Sequence, residues 1–263
     1  MSVILATLPP IATQLLVATF LFCIGTSIGS FINVVVYRLP GGQSLSRPGS
    51  RCPACNHSIR WYDNIPVFSW FFLKGRCRDC NAKISARYPV VEAITGLTFV
   101  FVAAVEFLHN GTNLPGTYAY HMLLLCTLFS ASLIEVDGNK VPARLAIPTS
   151  LVGLLTLIFW PQLQSGSPGL DGPIAGLLGA GVGTVLGVVA SYASQPRTDH
   201  GTIVCLACVG LFLGYQAVIC LFIIALCIRL VAVVFPKMQS IPPSAWLTLA
   251  TFVWIVVWRQ PLA

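Results

Sequence analysis

Residues 203–235 read IVCLACVGLFLGYQAVICLFIIALCIRLVAVVF, 33 residues in which Arg229 is the single charge. As one α-helix this run would be roughly 50 Å long at about 1.5 Å per residue. A bilayer's hydrocarbon core is only about 30 Å thick. The run is therefore too long for one ordinary crossing, and LGYQ at 213–216 is the natural break between two short spans. The rest of the chain agrees with a membrane setting. Its 263 residues are 56% hydrophobic and 9% charged, with mean hydropathy +0.82, where a soluble domain carries roughly 25% charged residues. The apolar stretches are continuous rather than alternating, which excludes a β-barrel.

Along the whole chain eight spans are expected: 11–36, 89–108, 117–134, 145–160, 173–193, the two halves of 203–235, and 244–258. The first follows no basic segment and has no small-residue cleavage site, so it reads as a retained helix rather than a signal peptide. The expected fold class is an all-α polytopic membrane protein with a small cytoplasmic domain between its first two spans. Three domains follow: a first helix to 38, a cysteine-containing domain at 39–88, and a membrane domain of about seven helices at 89–263.

Basic residues set the orientation. Nine lie between the first two spans: Arg38, Arg47, Arg51, Arg60, Lys74, Arg76, Arg78, Lys83 and Arg87. Lys140, Arg144, Arg197 and Lys237 fall in later loops on the same side, making 13 of 15, while Arg259 lies opposite. The positive-inside rule makes that side cytoplasmic and puts both termini outside. The net charge of +7 is thus a topology signal. Nucleic-acid binding is not expected, because no basic helix or aromatic reading surface accompanies the charge.

RCPACNHSIRWYDNIPVFSWFFLKGRCRDC, residues 51–80, is a polar island with two C-x2-C pairs. Cys52, Cys55, Cys77 and Cys80 have the spacing of two knuckles closing a tetrahedral thiolate shell around zinc. A reducing cytoplasm disfavours two resting disulfides, and one C-x2-C would suffice for redox work. A four-sulfur shell leaves no open position, so the zinc would be structural. His57 reads as a spare surface histidine. Cys205 and Cys208 form a further C-x2-C inside an apolar span, where small packing residues are the simpler reading. The glycines of GLLGAGVGTVLG, with spacings such as Gly176 to Ala180, point to close helix packing.

Only eight acids are present, and carboxylates bordering hydrocarbon are functional candidates by default. Glu135 and Asp137, in SLIEVDGNKVPARLAIP, stand at the cytoplasmic end of the third span. Glu92 starts the second span, and Glu106 and Asp171 face the outer side.

The blocks IGSFINVVVYRLP (28–40) and CPACNHSIRWYDNIPVFSWFFLKGRCRDCNAKISARYPVVE (52–92) resemble the N-terminal part of the type IV prepilin peptidases. About 55 residues match closely, including all four cysteines with their spacing. IEVDGNKVPARLAIP resembles that family's first catalytic block, an aspartate with a proline five residues on, filled here by Asp137 and Pro142. Glu135 departs from the aspartate usual two residues earlier.

The resemblance implies a membrane aspartic endopeptidase cutting the leader from type IV prepilins or pseudopilins at the cytoplasmic face of a bacterial inner membrane. It also implies N-methylation of the new N-terminus from S-adenosylmethionine. Two carboxylates held close share a proton, one acting as base on water and the other as acid. The family's second aspartate belongs to a G-x-G-D block, and here the sequence departs from the pattern. The register set by Gly210, Gly214 and GYQA puts Asp199, His200, Gly201 and Thr202 on those four positions, with Val204 in place of the usual lysine. Asp199, three residues before Thr202, is the offset candidate, one helical face and about 4.5 Å away along the axis.

Two readings stand at this stage: a working peptidase using Asp137 with Asp199, and a relative that binds prepilin-like helices or secretion components without cutting them. A transporter has little support, since neither an internal repeat of spans nor a midplane ion pair is visible. Family leaders are basic, so Asp63, Asp79 and Glu92 are candidates to line the leader's path through an otherwise basic island.

Overall fold

The computed structural model describes residues 10–110, 114–160, 172–193, 200–234 and 241–257. All its regular structure within these is helical apart from two isolated β-bridges. The main helices are α1 (Pro10–Arg38), the short α2 (Phe68–Phe72), α3 (Arg87–Asn110), α4 (Leu114–Val136), α5 (Ile147–Phe159), α6 (Gly172–Ala193), α7 (His200–Val234) and α8 (Pro243–Val257). Five of them, α1, α3, α4, α6 and α7, are long and apolar enough to cross a membrane, and α5 and α8 are shorter apolar helices. The expected break in 203–235 falls at Gly214, whose φ of 82° and ψ of 174° interrupt α7. That backbone region is essentially open to glycine alone, so the sequence kinks where its side chain disappears.

The described residues of Met1–Arg38 and Ser44–Leu108 form one compact unit, and those of Leu39–Gln43 and His109–Ala263 a second. In the first, α1 and α3 cross at small residues. A Cβ on Gly25 would come within 2.8 Å of the Gly96 Cα, and one on Gly29 within 2.7 Å of the Glu92 Cα. Lipid supplies no hydrophobic force between helices, so close backbone approach at a small-x3-small pair is what gains packing here. The sequence reading did not single out Gly25 and Gly29.

In the second unit α7 is the hub. Val209, Phe212, Val218 and Leu221 are fully buried on it, and Tyr120 of α4 stacks on Phe212 with ring centroids 4.1 Å apart. The glycine-rich helix α6 lies against α7, as its composition led us to expect. The seam runs through Gly179, Gly183 and Gly187, which meet the backbones of Gly210, Leu206 and Ile203. Gly179 and Gly210 sit so close that neither tolerates a Cβ. Hydroxyl pairs join the remaining helices: Thr127 with Thr149 links α4 to α5, and Ser132 with Thr248, at 2.7 Å, links α4 to α8. Such interhelical bonds contribute about 0.6 kcal/mol each on average. Leu177, Leu178 and Val185 on α6 and Ile158 and Phe159 on α5 remain exposed, as faces that lipid covers should.

Candidate functional site

The four island cysteines converge. Their sulfurs all lie within 4.8 Å of one another, and Cys52 Sγ to Cys80 Sγ measures 3.8 Å. Tetrahedral zinc with Zn–S bonds near 2.3 Å requires S···S edges of about 3.8 Å, while a disulfide requires about 2.05 Å. The donor set therefore fits a four-thiolate metal centre such as zinc.

Two equivalent knuckles build it. Cys52 N donates to His57 O and Asn56 N to Cys52 O; Cys77 N donates to Ala82 O and Asn81 N to Cys77 O. Bridges pair Arg51 with Ser58 and Arg76 with Lys83. Asn56 and Asn81 both have φ of 59°, the left-handed conformation that asparagine tolerates better than most residues. The pattern Arg-Cys-x-x-Cys-Asn thus occurs at 51–56 and again at 76–81, a small internal repeat that the spacing of the cysteines alone did not reveal. The backbone N–H groups of Cys55 and Ala54 hold the Cys52 thiol down at about 6. Against the pull of the His57 and Ala82 backbone N–H groups, Cys55 and Cys80 are pushed up by burial and the neighbouring sulfurs, as crowded thiols that cannot all ionise together.

Around the knuckles, the acids expected to meet a basic leader are engaged by the chain itself. Arg78 grips Asp63 with two bonds of 2.6 and 2.8 Å, and its guanidinium lies 5.6 Å from the centre of the Tyr62 ring. Arg60 pairs with Asp79 at 3.0 Å. Glu92 Oε2 accepts Val67 N–H at 2.6 Å. The Asp63 carboxyl is held below its ordinary value by the Arg78 hydrogen bonds. These carboxylates organise the island, so the expectation that they line a leader's path gains nothing from their geometry.

The second candidate region surrounds Asp137. Helix α4 ends in a left-handed turn in which Gly138, with φ of 73°, donates to Glu135 O at 2.9 Å and Asn139 donates to Ile134 O at 3.1 Å. This is the Schellman pattern, with glycine at the residue after the cap. Asp137 is therefore the C-cap of α4, and it is exposed. Two residues back, Glu135 turns to another element. Its Oε2 accepts the Ser244 hydroxyl at 2.5 Å and, more weakly, the Ser244 N–H at 3.4 Å. Glu135 thus caps the N-terminus of α8, satisfying donors that a helix start leaves open.

The loop following Asp137 folds onto the start of α7. Val141 is buried, and a Cβ on Gly201 would come within 2.5 Å of the Val141 Cβ. Thr202, half-buried, follows in that first turn of α7. The structure accordingly brings the loop after Asp137 against the segment aligned with the second block. Asp199 lies outside the described residues, as does Asp171. Cys205 and Cys208 are buried in α7, with Cys208 Sγ 3.6 Å from Ser150 Oγ, in keeping with packing roles. Sequence reasoning missed Ser244 and the Val141–Gly201 contact. The acid-poor helix start PPSAW and the small residue at 201 were the only signals available.

The chain is thus a helical membrane protein with a four-cysteine cluster between its first two long helices. Residues 23–106 match the bacterial peptidase A24 N-terminal domain family. The chain is 35% identical to a prepilin leader peptidase/N-methyltransferase of Klebsiella pneumoniae over 224 residues, covering 81% of this chain and 93% of that one. It is 32% identical to the type 4 prepilin-like proteins leader peptide-processing enzyme of Escherichia coli O78:H11 over 240 residues, 81% of this chain and 83% of that one. A Myxococcus xanthus prepilin leader peptidase/N-methyltransferase is 35% identical over 209 residues, 78% of this chain but only 58% of the relative's length. No solved structure gives a significant match. The chain belongs to the prepilin leader peptidase/N-methyltransferase family.

Proposed function

We propose that the protein is an aspartic endopeptidase of the bacterial inner membrane that removes the leader from type IV prepilins or pseudopilins at the cytoplasmic face. The names of its relatives support the substrate class, and the 13 of 15 basic residues on one side support the orientation. The observation that carries the mechanism is Val141 against Gly201, which seats the loop after Asp137 beside the start of α7. In this reading Asp137 supplies one carboxylate and Asp199 the other. One takes a proton from water as its oxygen attacks the scissile carbonyl; the other protonates the leaving nitrogen as the C–N bond breaks.

The exposed C-cap position of Asp137 suits a group that must meet water and a peptide. Zinc on Cys52, Cys55, Cys77 and Cys80 would brace the 39–88 domain and take no part in chemistry, because four thiolates close its shell. S-adenosylmethionine would supply the methyl group if the chain also methylates, as its relatives' names indicate.

Thr202 favours a second reading, a family member that holds prepilin-like helices without cutting them, since a hydroxyl cannot replace the acid. Co-expression with a prepilin decides between them, processing being scored by the mass of the pilin N-terminus. Cleavage by the wild type that Asp137→Asn and Asp199→Asn each abolish establishes the offset pair. No cleavage by the wild type, with cutting restored by Thr202→Asp, establishes the binding-only reading.

A further inference from the structure

The segment WYDNIPVFSWFF, residues 61–72, presents large apolar side chains outward although it is firmly built. Trp61 is 81% exposed, Phe71 64% and Phe72 82%, with Phe68 half-exposed. Ser69, Trp70 and Asp63 of the same segment turn their polar groups onto the chain, while Tyr62 and Asn64 are exposed. Ser69 Oγ donates to Tyr62 O and accepts Ile65 N–H, Trp70 Nε1 donates to Ile84 O at 3.0 Å, and Asp63 is held by Arg78. The outward face is therefore the product of a specified fold.

Depth is set by Glu92. Val67 has φ of 65° and ψ of −58°, a γ-turn closed by Phe68 N–H on Pro66 O at 2.7 Å. That conformation is strained for a β-branched residue, and it is tied by its own N–H to the Glu92 carboxylate. Glu92 lies five residues into α3, about 7.5 Å below Arg87 at the usual helical rise. At these levels α3 already exposes Tyr88, Val90 and Ile94, side chains that need lipid around them. The turn at Val67, with the Phe68–Phe72 helix that follows directly, is thus fixed where the bilayer has begun. Lys74 and Arg76, just beyond α2, are exposed cations of the sort that anionic headgroups attract.

We propose that the segment from Trp61 to Phe72 is an interfacial membrane anchor: Phe68, Phe71 and Phe72 enter the acyl region of the same leaflet that α3 enters, Trp61 sits at headgroup level, and Lys74 and Arg76 pair with anionic lipid. The anchor fixes the height of the four-cysteine knuckles above the membrane, independently of what the protein cuts.

A photoreactive benzophenone analogue of phenylalanine at position 72, and separately at 71, tests this in the full-length protein. The protein would be reconstituted in vesicles containing anionic phospholipid, with retained metal content as the check on folding. The expected result is a lipid-mass adduct at 72 and at 71 several-fold above that from the same analogue at position 46, on an exposed part of the loop after α1, with a lower yield in purely zwitterionic vesicles. Adducts to a second polypeptide, a co-reconstituted prepilin included, would overturn the proposal in favour of a protein-docking face. Lipid adducts no more abundant than at position 46 would overturn it as well.

Discussion

Glu135, at the end of α4, reaches across to the first turn of α8 and accepts both the hydroxyl and the N–H of Ser244. A carboxylate that composition marked as a site candidate is thereby tied to a helix start 109 residues away. Removing it leaves those donors without this acceptor, and hydrogen bonds to charged groups contribute about 1.5–3 kcal/mol. Glu135→Ala should lower the detergent-solubilised melting temperature, and Glu135→Gln, which keeps an acceptor, should lower it less. An unchanged melting temperature for Glu135→Ala would show that the cap does not matter.

Asp137 is exposed at its C-cap position, where water and a peptide can reach its carboxylate. Asp137→Asn, which keeps the size and shape of the side chain, should cut prepilin processing by about 100-fold or more, the scale of general acid–base catalysis, with metal content retained as the check on folding. Cleavage at the wild-type rate would remove Asp137 from the proposed mechanism.

Gly201→Ala should act through geometry alone. The added methyl would press on the Val141 Cβ and push the loop after Asp137 off the start of α7. We expect processing to fall sharply with metal content unchanged. A Gly201→Ala/Val141→Ala pair should recover part of the loss, and no recovery would argue against this contact as the cause.

The Asp63–Arg78 pair carries a pH signature. The folded-state value of Asp63 is depressed by Arg78, so its contribution is present above the unfolded carboxylate value and disappears as pH falls through the folded one. The stability difference between wild type and Asp63→Asn should therefore be constant near neutrality and shrink below about pH 4. Metal loss in acid affects both proteins and cancels in the difference. A gap that persists in acid would contradict the ion-pair account.

Purified protein should carry close to one zinc per chain, lost with Cys52→Ser. Structural zinc sites contribute about 10–16 kcal/mol of apparent binding energy in small peptides, so chelation should open the island to proteolysis between residues 44 and 86. The helices α4–α8 should keep their circular dichroism. Zinc-free protein with an intact, protease-resistant island would overturn the structural role.

Much of this was written locally in the chain. Apolar run length determined the membrane class, and a 33-residue run with a glycine inside it announced the kink at Gly214. Ligand spacing marked Cys52, Cys55, Cys77 and Cys80, because a knuckle's geometry is contained in its own six residues. The position of Asp137 at the end of α4 was similarly legible, since the end of an apolar run is a local event. The pairings Glu135–Ser244, Val67–Glu92, Val141–Gly201 and Gly179–Gly210 came from helix packing instead. Each depends on how a helix is rotated and how far it slides against its neighbour. In water an amphipathic stripe would encode that rotation, but in a bilayer the lipid-facing and protein-facing sides are both apolar. Rotation and register are then chosen by glycine contacts and a few polar bonds between residues far apart in sequence, which become partners only once the helices have packed.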